Sequence, residues 1–212
     1  MPREAPGASI YNIPNLLTVL RLLLIPAFVL CAIESQFTNP GWRWAAALVF
    51  TAAAVTDYVD GWLARRIGQV TAFGKIADPI ADKALTGTAL VLFSLWDLLP
   101  WWVTIVILVR ELGITALRFW VIRLGIIAAS RGGKIKTVLQ IVAIVWYLVP
   151  LPELLAMLAP WVMAAATIAT VVSGADYIVQ VVRLRHQAGR NGDGDTGAAA
   201  GAVEPTPQDD KA

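Results

Sequence analysis

The feature that most limits what this sequence can fold into is a succession of long apolar segments. Six of them, separated by short links, lie at about residues 16–33, 42–63, 74–96, 99–122, 137–151 and 155–182. A helix that crosses a bilayer needs about 20 mostly apolar residues. Apolar residues make up 58% of the 212-residue chain, against roughly 45–50% in soluble domains. The pattern therefore predicts an all-α integral membrane protein with six transmembrane helices.

Basic residues gather in alternate links between these segments. They surround the second and fourth links and follow the sixth segment, at Arg65, Arg66, Lys75, Arg123, Arg131, Lys134, Lys136, Arg183, Arg185 and Arg190. The other links are nearly free of Lys and Arg, and tryptophans cluster there instead. Because short cytoplasmic loops carry an excess of Lys and Arg, the sequence predicts that the N- and C-termini are both cytoplasmic.

The last part of the chain differs from the rest. From about residue 187 onward, Gly, Ala, Asp and Pro dominate and apolar content is low. Such a composition cannot bury enough apolar surface to fold. We therefore predict a six-helix membrane domain over residues 1–186 and a disordered cytoplasmic tail over residues 187–212.

The scarcity of histidine and cysteine narrows the possible chemistry. The chain has one cysteine, Cys31, which excludes an intrachain disulfide, and one histidine, His186, which lies in the polar C-terminal stretch. A reaction in the apolar part must therefore use carboxylates, hydroxyls, Lys or Arg. The formal net charge of +2 is small, and no nucleic-acid partner is expected.

Four aspartates are placed to meet at the cytoplasmic edge of the membrane. Asp57 and Asp60 lie near the end of the second segment at spacing i, i+3, and Asp78 and Asp82 lie near the start of the third at spacing i, i+4. Both spacings put the paired residues on one helix face. The link between the two segments is short, so we expect antiparallel neighbours whose four carboxylates converge.

Four carboxylates near lipid require compensation, because ionisable groups in spanning segments are costly and functional by default. All-oxygen ligand sets suit hard cations such as Mg²⁺ or Mn²⁺, and a pair of metal ions is a common device for clamping phosphoryl groups. Taken alone, Asp78 followed by Pro79 would fit an ordinary helix start. A small cation transporter, with the aspartates as its ion path, is an alternative from another class, although no internal repeat is visible.

Small and basic residues stand at fixed distances from these aspartates. Three of them are small: Gly61, Ala64 and Gly74. They would let a phosphate or nucleotide approach the backbone or allow tight helix packing. Arg65 would bind a phosphate oxygen through its guanidinium or anchor the cytoplasmic end of the helix as an inside-positive residue. The combined pattern reads Asp57-x2-Asp60-Gly61-x2-Ala64-Arg65-x8-Gly74-x3-Asp78-x3-Asp82. At every position this pattern is similar to the signature of the CDP-alcohol phosphotransferase family.

The resemblance, which covers roughly residues 10 to 185, implies roles for these residues. It implies two Mg²⁺ or Mn²⁺ ions held mainly by Asp57, Asp60 and Asp78, with Asp82 as a further ligand or as the general base that deprotonates the acceptor hydroxyl. It also implies a site for the CDP-lipid and a homodimeric assembly. The residues implied for the CDP-lipid site are Asp57, Gly61, Ala64, Arg65 and Gly74.

Local sequence resembles one branch of that family, the bacterial phosphatidylglycerophosphate synthases. The similar segments lie at residues 12–21, 74–83, 109–118 and 133–137, with Ala116 where the family often has glycine. This resemblance implies transfer of a phosphatidyl group from CDP-diacylglycerol to glycerol 3-phosphate with release of CMP. The reaction would take place on the cytoplasmic side of the bacterial cytoplasmic membrane. A cardiolipin synthase of the same family, with phosphatidylglycerol as acceptor, is the nearest alternative.

Four basic residues suit a phosphorylated acceptor: Arg110, Arg118, Lys134 and Lys136. Arg110 lies inside a spanning segment, where an unpaired guanidinium is expensive. It would pair with the aspartates, bind the acceptor phosphate or form a structural ion pair, and Glu111, which follows it directly, is expected to point elsewhere on the helix. The other three would alternatively be inside-positive anchors.

Overall fold

A computed structural model of the chain describes the backbone of residues 13–67, 72–123 and 133–198, and side chains at residues 17, 19–56, 80–81, 83–117 and 135–183. Over this part of the chain the regular structure is entirely helical. Six long helices and one short one follow each other: α1 (Ile13–Ser35), α2 (Pro40–Ile67), α3 (Ala72–Leu95), α4 (Trp101–Arg123), α5 (Gly133–Leu148), α6 (Glu153–Ala156) and α7 (Ala159–Ala198). The prediction of an all-α chain is confirmed.

The helices differ in whether they are long and apolar enough to cross a membrane. Within the described residues, one stretch, Glu153–Arg183, is long and apolar enough to cross a membrane, and its most apolar 18 residues have a mean hydropathy of 2.0. Lys83–Leu95 and Ile135–Leu148 are apolar but shorter. Polar and charged positions interrupt the sequences of α2, α3 and α4. The count of six spans and the side on which the termini lie stay predictions.

Aromatic side chains bring the ends of several helices together. Phe37, in the link between α1 and α2, packs against Phe93 and Trp96 at the end of α3, with ring centroids 5.6 and 5.5 Å apart. Phe93 in turn stacks on Tyr147 near the end of α5, at 5.2 Å. We call this group, Phe37, Phe93, Trp96 and Tyr147, the aromatic end of the bundle.

An arginine ties the start of α2 to the same end. The Nε of Arg43 donates to the carbonyl of Leu148 at 3.1 Å, and its Nη2 donates to those of Tyr147 and Val149 at 2.9 and 3.1 Å. The last carbonyls of a helix have no partner within the helix, and a basic side chain satisfies them well. Arg43 therefore caps α5.

The packing of the helices positions the rest of the molecule. Helix α1 packs against α2 and α3, α5 packs against α7 and α2, and α4 packs against α3 and α7. The buried core between them includes Phe28, Phe50, Leu90, Ile107 and Ile144. Helices α3, α4 and α5 thus enclose the space in which the charged residues described below lie.

Large apolar side chains also cover much of the outer surface. Several are more than three-fifths exposed, among them Leu23, Leu48, Val109, Ile135, Leu154 and Trp161. Exposed tryptophans occur in the first residues of α2, α4 and α7, at Trp42, Trp44, Trp101, Trp102 and Trp161. An extensive exposed apolar surface is typical of a chain that contacts lipid or a partner.

The C-terminal helix is longer than the sixth apolar segment. The backbone of α7 continues to Ala198, past position 187 where the disordered tail is expected to begin. Residues 199–212 lie outside the described part of the chain. The domain boundary at residue 187 stays a prediction.

Candidate active site

The four aspartates occupy the helix positions that the sequence predicts for them. Asp57 and Asp60 lie in the second half of α2, and Asp78 and Asp82 lie in the first half of α3. Helix α3 begins shortly after α2 ends, and the two helices contact each other. The side chains of all four aspartates lie outside the described residues, as do those of Arg65 and Ala64 and the surroundings of Gly61 and Gly74. Their roles as metal ligands and as a CDP-lipid site stay predictions.

Lys83, the residue after Asp82, belongs to a network of charged side chains. Lys83 of α3 places its Nζ 2.7 Å from Oε2 of Glu111 in α4. The other carboxylate oxygen, Oε1, accepts from Nη1 of Arg110 at 3.0 Å and from Nζ of Lys136 in α5. We call these four residues the charge cluster. A single carboxylate therefore binds three cationic groups contributed by three helices.

The charge cluster is largely removed from solvent. The side chains of Glu111 and Lys136 are 5% and 6% exposed, whereas those of Lys83 and Arg110 are 25% and 15% exposed. An isolated buried charge is very costly, and a buried ion pair repays this cost only when its geometry is good. Three cations and one anion sum to a formal charge of +2, so the cluster itself is positively charged.

Arg110 also joins α4 to α7. Its Nη2 donates to Oγ of Ser173 at 2.7 Å, and this hydroxyl donates to the carbonyl of Thr170 at 3.0 Å. A Cβ placed on Gly174 would lie 2.9 Å from Nε of Arg110, closer than such contacts normally come. The absence of a side chain at Gly174 therefore makes room for the arginine.

The expectation that Glu111 points away from Arg110 is wrong. Consecutive helical residues start in different directions, but the long arginine side chain brings its guanidinium back to the neighbouring carboxylate. Among the readings of Arg110 left open by the sequence, the structure supports an ion pair with Glu111. Whether it also pairs with the aspartates stays a prediction, since their side chains lie outside the described residues.

A cavity of about 410 Å³ lies beside the charge cluster, between α3, α4 and α5. Its walls are mostly apolar, and polar side chains enter them at a few positions. The lining residues are Ile80, Lys83, Ala84, Thr86, Leu90, Leu108, Glu111, Leu112, Thr115 and Gln140. Mostly apolar walls with a few polar groups are typical of small-molecule sites. Lys83 and Glu111 connect this cavity to the charge cluster.

Comparison with known proteins identifies the family of the chain. The family model described as CDP-alcohol phosphatidyltransferase matches residues 11–172, which include α1 to α5 and every residue of the charge cluster. The chain belongs to this family. Enzymes of the family generally use divalent metal ions, and the family assignment made from the aspartate pattern is confirmed.

Relatives within the CDP-alcohol phosphatidyltransferase family are similar over most of the chain. A Mycobacterium tuberculosis protein named probable phosphatidylglycerophosphate synthase is 48% identical over 179 residues, covering 84% of this chain and 86% of its own. An Escherichia coli protein named CDP-diacylglycerol–glycerol-3-phosphate 3-phosphatidyltransferase is 46% identical over 144 residues, covering 65% of this chain and 77% of its own.

For this phosphatidyltransferase, two of the four basic residues proposed from the sequence for the acceptor lie in the charge cluster, and their role there stays a prediction. Lys136 and Arg110 lie in the charge cluster, whereas the side chains of Arg118 and Lys134 lie outside the described residues. Lys83 and Glu111 were not predicted as site residues. Their signal was present, because a Glu within an apolar segment requires a partner and Lys83 directly follows Asp82.

Proposed function

We propose that this chain transfers the phosphatidyl group of CDP-diacylglycerol to glycerol 3-phosphate, giving phosphatidylglycerophosphate and CMP. The observation that carries the proposal is the 48% identity over 84% of the chain to a protein named for this product. The Escherichia coli relative, whose name states both substrates, supports the same donor and acceptor. The excess positive charge of the charge cluster suits an acceptor that carries a phosphate.

The proposed setting is the bacterial cytoplasmic membrane. Six helices would span it, with both termini and the aspartates on the cytoplasmic side. The distribution of Lys and Arg along the sequence, the apolar stretch Glu153–Arg183 and the exposed apolar surface support this arrangement. A homodimer is proposed from the family resemblance.

Asp57, Asp60, Asp78 and Asp82 would hold two divalent cations, Mg²⁺ or Mn²⁺. The donor set fits such ions, because carboxylates are the oxygen ligands that hard cations prefer and both aspartate pairs have same-face spacing on neighbouring helices. The bound ions supply electrostatic stabilisation of the pyrophosphate and of the CMP leaving group.

The residues of the chain would carry the other parts of the reaction. Gly61, Ala64, Arg65 and Gly74, with Asp57, would bind the CDP-lipid. Asp82 would take the proton of the acceptor hydroxyl. The resulting oxygen attacks the phosphorus that bears diacylglycerol, and the bond from this phosphorus to CMP breaks.

The acceptor phosphate would lie near the basic residues of α4 and α5. The proposed contacts are Arg110, Arg118, Lys134 and Lys136. Arg110 and Lys136 already bond to Glu111, so any contact they make with a phosphate is shared with this carboxylate. A phosphate monoester carries about −1.5 to −2 charges near neutral pH, close to the +2 of the charge cluster.

The test is CMP release by the purified protein in detergent with CDP-diacylglycerol and Mg²⁺. Glycerol 3-phosphate, phosphatidylglycerol and inositol 1-phosphate are supplied in turn as acceptor, and the metal is removed with a chelator in a parallel sample. We expect release with glycerol 3-phosphate only, lost on chelation and restored by added Mg²⁺. Release with phosphatidylglycerol instead would identify a cardiolipin synthase, and release with none would favour the transporter.

A further inference from the structure

We propose that Glu111 is a positioning residue for the acceptor: it holds Lys83 and Lys136 in the places from which they bind the phosphate of the incoming alcohol. The inference rests on the proposed function and adds two residues, Glu111 and Lys83, to its acceptor site. Glu111 itself, as an anion, would not touch the phosphate.

Glu111 contacts all three cations of the charge cluster, and no other side chain among the described residues does so. Its Oε2 is bound to Lys83, and its Oε1 is bound to Arg110 and Lys136. Lys83 comes from α3, which carries Asp78 and Asp82, and Lys136 comes from α5. A carboxylate on α4 therefore fixes the distance between basic groups on the two neighbouring helices.

The charge cluster contains more cations than its carboxylate needs. A buried carboxylate needs one cation for neutrality, whereas Glu111 has three in contact. Without the carboxylate, three cations in close proximity would repel each other in a region of low dielectric. With it, the cations of three helices stay together beside the cavity, and the formal charges of the four residues sum to +2.

The cations of the charge cluster differ in how accessible they are. Of the three cations, Lys83 is the most exposed, at 25% of its side chain. Lys83 and Glu111 both line the cavity between α3, α4 and α5. Arg110 has its Nη2 bound to Ser173 and is held against Gly174. The geometry therefore favours Lys83 as the group that first meets an entering phosphate, with Lys136 behind it.

The experiment compares the KM values of the two substrates in wild type and Glu111→Gln. Wild type is assayed first with glycerol 3-phosphate. In Glu111→Gln we expect the KM for glycerol 3-phosphate to rise roughly tenfold or more, since hydrogen bonds to charged groups contribute at least about one order of magnitude in affinity. The KM for CDP-diacylglycerol should stay within about twofold of wild type. Glu34→Gln, the same change at an exposed position of α1, should alter neither constant.

Two further measurements separate positioning from simple stabilisation. If Glu111 acts through Lys83 and Lys136, Glu111→Gln should raise the KM for glycerol 3-phosphate by a smaller factor in a Lys136→Met background than in wild type, because only the contribution of Lys83 is then left to lose. Inorganic phosphate should compete with glycerol 3-phosphate in wild type and inhibit Glu111→Gln less strongly. Glu111→Asp keeps the charge but shortens the side chain, and should raise the same KM by a smaller factor. If Glu111→Gln does not fold, Glu111→Asp takes its place in the comparison of KM values.

The outcomes are distinct. A lower melting temperature with both KM values unchanged would make Glu111 a structural ion pair and overturn the inference. An equal rise of both KM values would do the same, because it indicates general distortion. If the wild-type protein releases no CMP with glycerol 3-phosphate, the proposed function itself is overturned before any variant is compared.

Discussion

Arg43 and the charge cluster are two places where charged side chains lie within helices of this bundle, and they are satisfied in different ways. Arg43, at the aromatic end, donates to three backbone carbonyls at the end of α5. In the charge cluster, three cationic side chains share the carboxylate of Glu111. The first arrangement closes a helix end, whereas the second concentrates positive charge.

The difference indicates which charges serve structure and which serve chemistry. The hydrogen bonds of Arg43 go to neutral carbonyls that would otherwise lack a partner. These contacts therefore complete the fold. The charge cluster gathers three cations around one carboxylate beside a cavity, and burying charged groups is costly. Perturbing Arg43 should therefore change stability, and perturbing the charge cluster or its surroundings should change activity.

The largest effect is expected at the aspartate that directly precedes the charge cluster in sequence. Asp82→Asn removes the proposed base and one proposed metal ligand, so CMP release should fall by roughly 10²–10⁴-fold. The measurement is the initial rate with saturating CDP-diacylglycerol and glycerol 3-phosphate. The same change at exposed Asp176 of α7 should leave the rate near that of wild type. Substantial activity in Asp82→Asn would remove Asp82 from the mechanism.

The next effect is expected within the charge cluster. Lys83→Met keeps most of the unbranched side chain and removes its charge, so the KM for glycerol 3-phosphate should rise roughly tenfold. Steady-state kinetics with the acceptor varied measure the change. Arg183→Met, at an exposed basic position of α7, is the matched control and should leave the KM unaltered. If both variants behave alike, the effect reflects net charge rather than the position of Lys83.

At the aromatic end the same kind of change should act on stability. Arg43→Met leaves the last carbonyls of α5 without their donor, and we expect a loss of about 1.5–3 kcal/mol. For a chain of this size that corresponds to a fall in Tm of roughly 5 °C, measured by thermal unfolding in detergent. The KM for glycerol 3-phosphate should remain that of wild type. A raised KM without a lower Tm would reverse the distinction between the two regions.

The sequence predicts the helices of this chain better than the contacts between their charged groups. Long apolar segments indicate helices because a spanning backbone must satisfy its hydrogen bonds internally, and the aspartate pattern identifies the family. The partners of Arg110 could not be read in the same way. Its bond to Glu111 depends on the bending of a long side chain, and its bond to Ser173 joins positions 63 residues apart. Only the packing of α4 against α7 brings that serine within reach.

The smallest effect is expected where α7 meets the charge cluster from outside. Gly174→Ala would place a Cβ 2.9 Å from Nε and 3.1 Å from Cγ of Arg110. These atoms are not at the tip of the side chain, so Arg110 must shift, and its hydrogen bond to Ser173 is expected to weaken. We expect the KM for glycerol 3-phosphate to rise by a few-fold, since one hydrogen bond is weakened and the ion pair with Glu111 can persist. Acceptor kinetics measure the change.

Gly113→Ala is the matched control for this variant. Gly113 lies in α4, the helix of Arg110, and a Cβ there meets nothing within 4 Å. Alanine in a helix is favoured over glycine by roughly 0.5–1 kcal/mol, so Gly113→Ala should keep the wild-type KM and unfold at the same or a slightly higher temperature. If Gly174→Ala also keeps the wild-type KM, the contact between α7 and Arg110 belongs with Arg43 among the structural ones, and the functional region is confined to Glu111 and its lysines.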